Sequence, residues 1–478
     1  MAGNEFERIT PAQAGLDPRC IINMMDRMEK EKINITSFVL LRHGKNLCEA
    51  YYKPYEKEQL RTVFSLSKTF TYMAIGIEAG EGKINLDEKI TDLFAEEIEK
   101  GQIPVGKELA SLTIRHLLRM STGQEHEPNR GESDWNDMAT AFLTTPFHEM
   151  PGEVFRYNSM ATYMLSASLK KKGIDLEEYL EEKLLTPMGI TGTRWLRDPR
   201  GICTAGFGFS LYPEVIAKLG QMILQGGMWN GKQLVPKTYI EMATSKQIEN
   251  GDDPASDWAQ GYGYQMWRCK NNAVRGDGMY GQCCMIHKDT ETVLAMTAVT
   301  GDMQGEMNVY YEEVLLHYQD QPLAEDEEAM KALNERLAAL HYTRPLPEDD
   351  GSKLPEKLKK LELPLADFFD LTLSCENDLI TLTDKAGEVR YLAGRGEWKK
   401  TCRKVYCTPL YTKKNQVDTP VIGACGMKAG SLVIKVDEIE RLEEDTLTLT
   451  PEEDGVQVKL VNTTIPSQPN GYISTEIQ

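Results

Sequence analysis

The sequence predicts an α/β (α+β) layer sandwich built on an antiparallel sheet, followed by a C-terminal all-β domain, a barrel or a sandwich. Three observations carry this expectation. Apolar strand-like runs meet through short turns rather than crossover helices, which marks antiparallel pairing. Between those runs apolar residues recur at three and four positions apart, the helical period. Beyond a polar, proline-rich stretch near residue 345 the period changes to two-residue alternation.

ITSFVLLRHGKNLCEAYY, from Ile35 to Tyr52, reads as a hairpin turning at His43-Gly44-Lys45. FSLSKTFTYMAIGIEAGEGKI follows as a helix, with Gly80 and Gly82 as its stop. Leu112 to Gly123 is a short helix closed by a turn, and helical patterns recur from Ser159 to about Lys172 and from Pro213 to Gly226. Strands are expected at Tyr262–Cys269, Gly281–His287 and Thr292–Val299, with MNVYYEEVLLHYQ as the helix after them. A further helix, EDEEAMKALNERLAALHY, leads to RPLPEDDGSKLPEKLKKLELP, whose Lys/Glu run reads as a solvated linker or helix face. FFDLTLSC, LITLTDK, EVRYLAG, SLVIKVDEI, TLTLTPE and GVQVKLVN then read as short strands. The expected division is a catalytic domain over 1–322, a helical linker over 323–345 and a β domain over 346–478.

Composition narrows the function classes. A net charge of -19 offers no basic face for a phosphate backbone, so nucleic acid is not an expected partner, nor is an anionic membrane surface. The first residues show no basic region leading into an apolar core, and no run reaches the roughly 18 apolar residues of a membrane span; a cytoplasmic protein is expected. The ten cysteines form no C-x-x-C pair and read as free, mostly buried thiols of a reducing compartment. The seven histidines show no metal-binding spacing, so neither a metal nor a cofactor is expected. His126 in GQEHEPN reads as a surface-loop residue near a cleft mouth, while Trp135, Tyr264 and Trp267 read as core or pocket aromatics.

The chemistry-bearing residues begin with Ser65-Leu66-Ser67-Lys68 at the start of an apolar helix. Positions three apart share a helix face, so Lys68 reaches the Ser65 oxygen. Burial and the positive helix end both favour a neutral amine, able to take the serine proton. Ser168-Leu169-Lys170-Lys171 matches the same spacing, but Lys170, Lys171 and Lys172 form a solvated cluster and read as an ordinary helix end. Tyr157, in a turn ahead of a helix, is either a core aromatic or, beside a lysine, a partly ionised phenol that relays a proton. Gly276-Asp277-Gly278-Met279-Tyr280-Gly281-Gln282 is a glycine-rich approach to a strand. It reads as an ordinary turn or as a place where substrate lies against the backbone and an N–H completes an oxyanion hole. The absence of G-x-S-x-G argues against an α/β-hydrolase elbow.

FSLSK, LTIRHLLRMSTG, PGEVFRYNS, GGMWNGKQLVP, GYGYQMW and GDGMYGQ occur in the order seen in the serine β-lactamase-related family, which the chain resembles from about residue 10 to about residue 320. That family includes class C β-lactamases, penicillin-binding DD-peptidases, certain esterases and 6-aminohexanoate-dimer hydrolases. The resemblance implies a β-lactamase/transpeptidase-like sandwich and an acyl-enzyme mechanism. It makes Ser65 the nucleophile, Lys68 its base and Tyr157 the acid/base of a Y-x-N element. Gly278 is then the glycine of a K-T-G-like third element and Met279 the strand residue whose N–H faces the oxyanion. Asp277, Ser159 and Gln282 complete the expected substrate-binding set.

Two departures bear on substrate. Ser159 stands where the family has asparagine, and Gly276 where it has the lysine that binds a carboxylate. Arg275 is offset by one residue and so points to the opposite face of a strand from Gly276. These departures favour ester or amide hydrolysis of a small or short-peptide, uncharged or amine-bearing substrate over efficient β-lactam hydrolysis. The alternative is a catalytically silent binding or sensor protein on the same scaffold, against which the retained Ser65, Lys68 and Tyr157 argue. A peptidase of cell-wall peptides is a third reading, and a cytoplasmic chain would sit in the wrong compartment for it. The oligomeric state is not legible.

Overall fold

An apolar run and turn chemistry at the N-terminal end produce the hairpin: β1 (Asn34–Arg42) and β2 (Lys45–Tyr51) pair antiparallel, with Ser37 opposite Tyr51. The structure is a computed structural model and describes residues 5–128, 136–342, 344–365, 369–405, 417–463 and 473–477. It divides into two compact units, the described residues up to Leu340 and those from His341 onward.

In the first unit the hairpin joins β3 (Trp267–Arg268), β4 (Ala273–Gly278), β5 (Gln282–His287) and β6 (Thr292–Val299) in the order β2-β1-β6-β5-β4-β3. Every pairing is antiparallel, with Phe38 opposite Met296 and Gln282 opposite Gly278. Strands β4, β5 and β6 are buried at every position, because helices cover both faces of the sheet and leave no solvent side for alternation. Adjacent cysteines in β5 show the two faces. Cys284 reaches the Ile216 carbonyl of a helix over Pro213–Leu224, while Cys283 lies toward Glu306 of the helix Met303–Glu313.

The segment FSLSKTFTYMAIGIEAG forms a 3₁₀ turn at Phe64–Leu66 and then α1 (Ser67–Gly80), a central helix buried from Ser67 to Glu78. It packs on a second buried helix, α2 (Ser159–Lys171), which Asn158 caps by accepting the Ala161 N–H. The helix Glu327–Ala338 belongs to this unit and packs on Pro18–Lys30.

One expected strand is largely overturned. Of Tyr262–Cys269 only Trp267–Arg268 is extended in a ladder, because Gln265 adopts a φ of 55°. Its side chain turns to donate to the Leu117 and Leu118 carbonyls and to accept from Thr162 Oγ1, so the helix end governs the backbone there.

The second unit is one curled sheet, a half-barrel. In it β7 (Lys360–Leu365), β8 (Phe369–Glu376), β9 (Leu379–Asp384) and β10 (Val389–Arg395) run antiparallel. Strand β10 then pairs parallel with β12 (Val417–Lys428), which also carries β11 (Lys399–Val405). From β12 the sheet continues through β13 (Ser431–Glu438), β14 (Glu443–Pro451), β15 (Val456–Thr463) and β16 (Ile473–Ile477). Alternate residues such as Leu432, Ile434 and Val436 fill its core with Leu373, Ile380 and Leu449. The Lys/Glu run read as a linker is instead a 3₁₀ turn at Glu356–Leu358 and β7, since Leu358 and Leu363 belong to that core.

No helix among the described residues is long and apolar enough to cross a membrane. Phe38, fully buried in the sheet of the first unit, sets a check on this packing. Phe38→Ala is expected to cost about 3–5 kcal/mol in calorimetric unfolding, whereas Val389→Ala at an exposed position costs less than about 0.5 kcal/mol.

Candidate active site

Ser65 lies in the 3₁₀ turn that runs straight into α1. The residue before it, Phe64, has a φ of 47°, in the left-handed region that costs a non-glycine residue free energy. Three contacts hold it there. Ser67 Oγ donates to the Phe64 carbonyl at 2.5 Å and accepts from Phe209 N–H at 3.1 Å, and the Phe64 ring meets Tyr280 edge-on with centroids 5.3 Å apart.

One turn on, Lys68 is 2% exposed. Its Nζ donates to Ser65 Oγ at 3.0 Å, Ser159 Oγ at 3.1 Å and the Gly206 carbonyl at 2.7 Å. Burial lowers its pKa to about 7, against the opposing pull of the Glu127 and Asp277 carboxylates. Ser159, though shorter than asparagine, therefore touches the lysine, and its own N–H donates to Glu127.

Tyr157 hydrogen-bonds Ser65 through its hydroxyl, and its ring centre lies 4.8 Å from Lys68 Nζ. Burial, then the negative charge of Asp277, raise this phenol well above its ordinary value. The expected partial phenolate is thus not the resting form, and Tyr157 is a neutral hydroxyl. Behind it the indole of Trp267 stacks at 5.5 Å with 18° between the planes.

Strand β4 closes the other side. Gly276 and Gly278 share one face, and a Cβ at either would lie 2.2 Å from Thr69 Oγ1 or 2.1 Å from the Val63 carbonyl. Only glycine lets this strand press against the segment that carries Ser65. Arg275 and Asp277 share the opposite face and pair with each other, Nη2 to Oδ2 at 2.9 Å.

The remaining expected residues fall in different places. Met279 is exposed, in the turn just beyond the end of β4 rather than on a strand. Gln282 does not project into the cleft; its buried amide donates to the Met279, Tyr280 and Ala298 carbonyls and fastens the β4–β5 turn. His126 is exposed, and its Nδ1 meets the Glu127 carbonyl. Tyr264 is core, its hydroxyl accepting from Arg115 at 2.7 Å, and Trp135 lies outside the described residues. Ser168 is buried against the Met164 carbonyl and Lys171 pairs with Glu97, an ordinary helix end. Among the described residues no group of His, Cys, Asp and Glu is arranged to hold a metal ion.

The arrangement of a hydroxyl hydrogen-bonded to both a buried amine and a phenol is matched by likeness to known proteins. A family model described as Beta-lactamase matches residues 23–317. The chain belongs to the Beta-lactamase family. It is 23% identical over 311 residues to 6-aminohexanoate-dimer hydrolase of Paenarthrobacter ureafaciens, covering 60% of this chain and 78% of that one. Among solved structures, EstCE1, a hydrolase with promiscuous acyltransferase activity, superposes with a TM-score of 0.52 at 14% identity, covering 63% of this chain and 99% of the other. The octameric penicillin-binding protein homologue from Pyrococcus abyssi does so with a TM-score of 0.51 at 15% identity, covering 92% of this chain and 97% of its own. The Beta-lactamase assignment and these neighbours make the chain a member of a hydrolase family and give it the β-lactamase/transpeptidase fold.

The strand-to-turn contact gives a direct test. Gly278→Ala must displace β4 from Val63 and is expected to cost about 1–3 kcal/mol of overpacking, read as a lowered Tm. An unchanged Tm would show that β4 does not press on the Ser65 segment.

Proposed function

We propose that this Beta-lactamase family member is a serine hydrolase that cleaves small ester or amide substrates through an acyl-enzyme, favouring substrates that carry an amine over those that carry a carboxylate. The observation that carries the reading is the shared contact of Ser65 Oγ with a buried amine and a neutral phenol. With its pKa near 7, Lys68 is unprotonated in a large fraction of molecules at neutral pH and accepts the Ser65 proton as Oγ attacks the carbonyl carbon. The backbone N–H groups of Ser65 and Met279 take the oxyanion. Tyr157 gives its proton to the departing oxygen or nitrogen and regains one from the Lys68 ammonium. Water then hydrolyses the Ser65 ester by the reverse proton path.

The substrate preference rests on charge. Asp277 first suggests an amine-bearing partner, but Arg275 neutralises it. Glu127 remains: it accepts the Ser159 N–H, acts on the Lys68 amine and forms no direct ion pair among the described residues. Such a carboxylate near Ser65 attracts an ammonium group and repels another carboxylate. The likeness to a protein named as a 6-aminohexanoate-dimer hydrolase supports the same class. Free thiols at every cysteine among the described residues support a reducing, cytoplasmic setting.

Intact mass after exposure to a small fluorophosphonate tests the nucleophile. One adduct is expected on the parent and none on Ser65→Ala; no adduct on a folded parent would overturn the reading. The labelling rate carries the base as well. Protonation of Lys68 removes the base, so the rate should rise about tenfold per pH unit up to about 7 and level off above it.

A second variant tests the preference. Glu127→Gln should raise KM about tenfold for a substrate with a free amine and leave its N-acetylated counterpart unchanged, the loss of one charge-assisted contact. Equal effects on both substrates would remove Glu127 from recognition.

A further inference from the structure

The pair Arg275–Asp277 lies behind the site and takes no part in the chemistry above. Arg275 is 1% exposed, a buried guanidinium in the middle of β4. Its Nε donates to Asp277 Oδ2 at 3.0 Å, and its Nη1 to the Asp257 carbonyl at 2.8 Å and toward Cys269 Sγ at 2.9 Å. The flat cation lies between two indoles, 4.4 Å from the Trp258 ring centre and 5.5 Å from that of Trp267. Trp267 is the ring on which Tyr157 stacks. One guanidinium therefore touches both the carboxylate that acts on Lys68 and the indole that backs Tyr157.

We infer that Arg275 is a positioning residue for the Ser65 site: by clamping Asp277 and backing the Trp267 ring it fixes Tyr157 and sets the charge that the Lys68 amine feels. This rests on the hydrolase reading for its meaning, though not for its test.

The surroundings leave this charge to Arg275. Around it burial works against competing charge: it pushes the Cys269 thiol up to about 11 and raises Cys283 well above its ordinary value. Burial, then Asp277, raise the Glu306 carboxyl well above its ordinary range. The Asp257 carboxylate is occupied by Tyr311 Oη, Gln304 Nε2, Lys270 N–H and Lys270 Nζ. Asp277 is thus the carboxylate that Arg275 answers. On the Lys68 side the facing groups are Ser65, Ser159, the Gly206 carbonyl, Tyr157, Glu127 and Asp277. Of these, Asp277 is the one that Arg275 clamps. An exposed cleft would screen such a charge within angstroms, but the strand and both indoles keep water from this pair.

Opposite shifts follow from the two halves of the pair. Arg275→Gln leaves the Asp277 carboxylate unanswered, which favours the Lys68 ammonium. Asp277→Asn leaves the guanidinium unanswered, which disfavours it. The measurement is the titration of the Lys68 Cε resonance in 13C-lysine-labelled full-length protein, assigned by its absence from Lys68→Arg. The midpoint should rise by about one unit in Arg275→Gln and fall in Asp277→Asn. In the double variant it should return to within about 0.3 unit of the parent, because the two charges cancel. Midpoints that stay put while Tm falls would reduce Arg275 to a structural cation and overturn the inference. If Arg275→Gln is not recovered folded, Asp277→Asn decides alone: an unshifted or raised midpoint overturns it. Arg275→Lys keeps the charge and loses the flat stack, so it should hold the midpoint while lowering kcat and leaving KM in place. Fluorophosphonate labelling of Ser65 on the same samples reports separately on the hydrolase reading, since the lysine titration needs no turnover.

Discussion

Taking an amine out of water is costly unless the amine is neutral or ringed by acceptors, and the first unit of this protein is arranged around that cost at Lys68. The side chain sits on the first turn of the helix that forms the core of the unit, so it is buried by the same packing that buries Tyr72 and Ile75. Ser65, Ser159 and the Gly206 carbonyl are the acceptors, and each comes from a different part of the chain. Asn158 caps the helix that delivers Ser159, and Thr71 Oγ1 ties the Ala205 carbonyl next to Gly206. The strained turn at Phe64 serves the same end, because it aims the Ser65 oxygen at the amine while the neighbouring Ser67 turns inward to hold the backbone. Stability and reactivity are therefore coupled: the packing that makes the fold cohere is what lowers the lysine.

Much of this was legible in the sequence because it follows from apolar runs of element length punctuated by turn residues. The hairpin at Ile35–Tyr52, the apolar helix after Ser65 and the strand Thr292–Val299 each fold where a continuous apolar run bounded by turn residues says they should. What stayed hidden was decided by contacts distant in sequence. Val417–Lys428, the longest strand of the second unit, contains Pro420, Gly423 and Gly426, which read as breakers. Gly423 is there because β10 crosses within 2.3 Å of where its Cβ would be, a requirement that only the folded sheet reveals. Gln265 breaks an apparent strand for a similar reason, since its side chain serves a helix end far away in sequence.

The site divides the same way. Ser65 and Lys68 are three residues apart on one helix face, so local geometry announces them. Glu127 has no such signature: it lies in an irregular loop, and the one cue was the neighbouring His126, whose own side chain is exposed. Arg275 is more instructive. Strand parity correctly separates it from Gly276, but the same parity puts it beside Asp277, two residues on.

That parity explains where the cation of a third element without a lysine stands. A side chain at position 276 meets Thr69 and Leu66, which occupy the space that its Cβ would need. A cation at that position therefore requires Thr69 and Leu66 or the strand itself to shift. The cation stands one residue earlier, on the far face, where it reaches the site through Asp277 and the Trp267 ring rather than through substrate. A lysine facing the cleft offers its charge to a ligand; a guanidinium buried between two indoles has spent it on its own carboxylate. On the cleft side the Glu127 carboxylate acts on Lys68 and accepts the Ser159 N–H, and no cation at position 276 accompanies it.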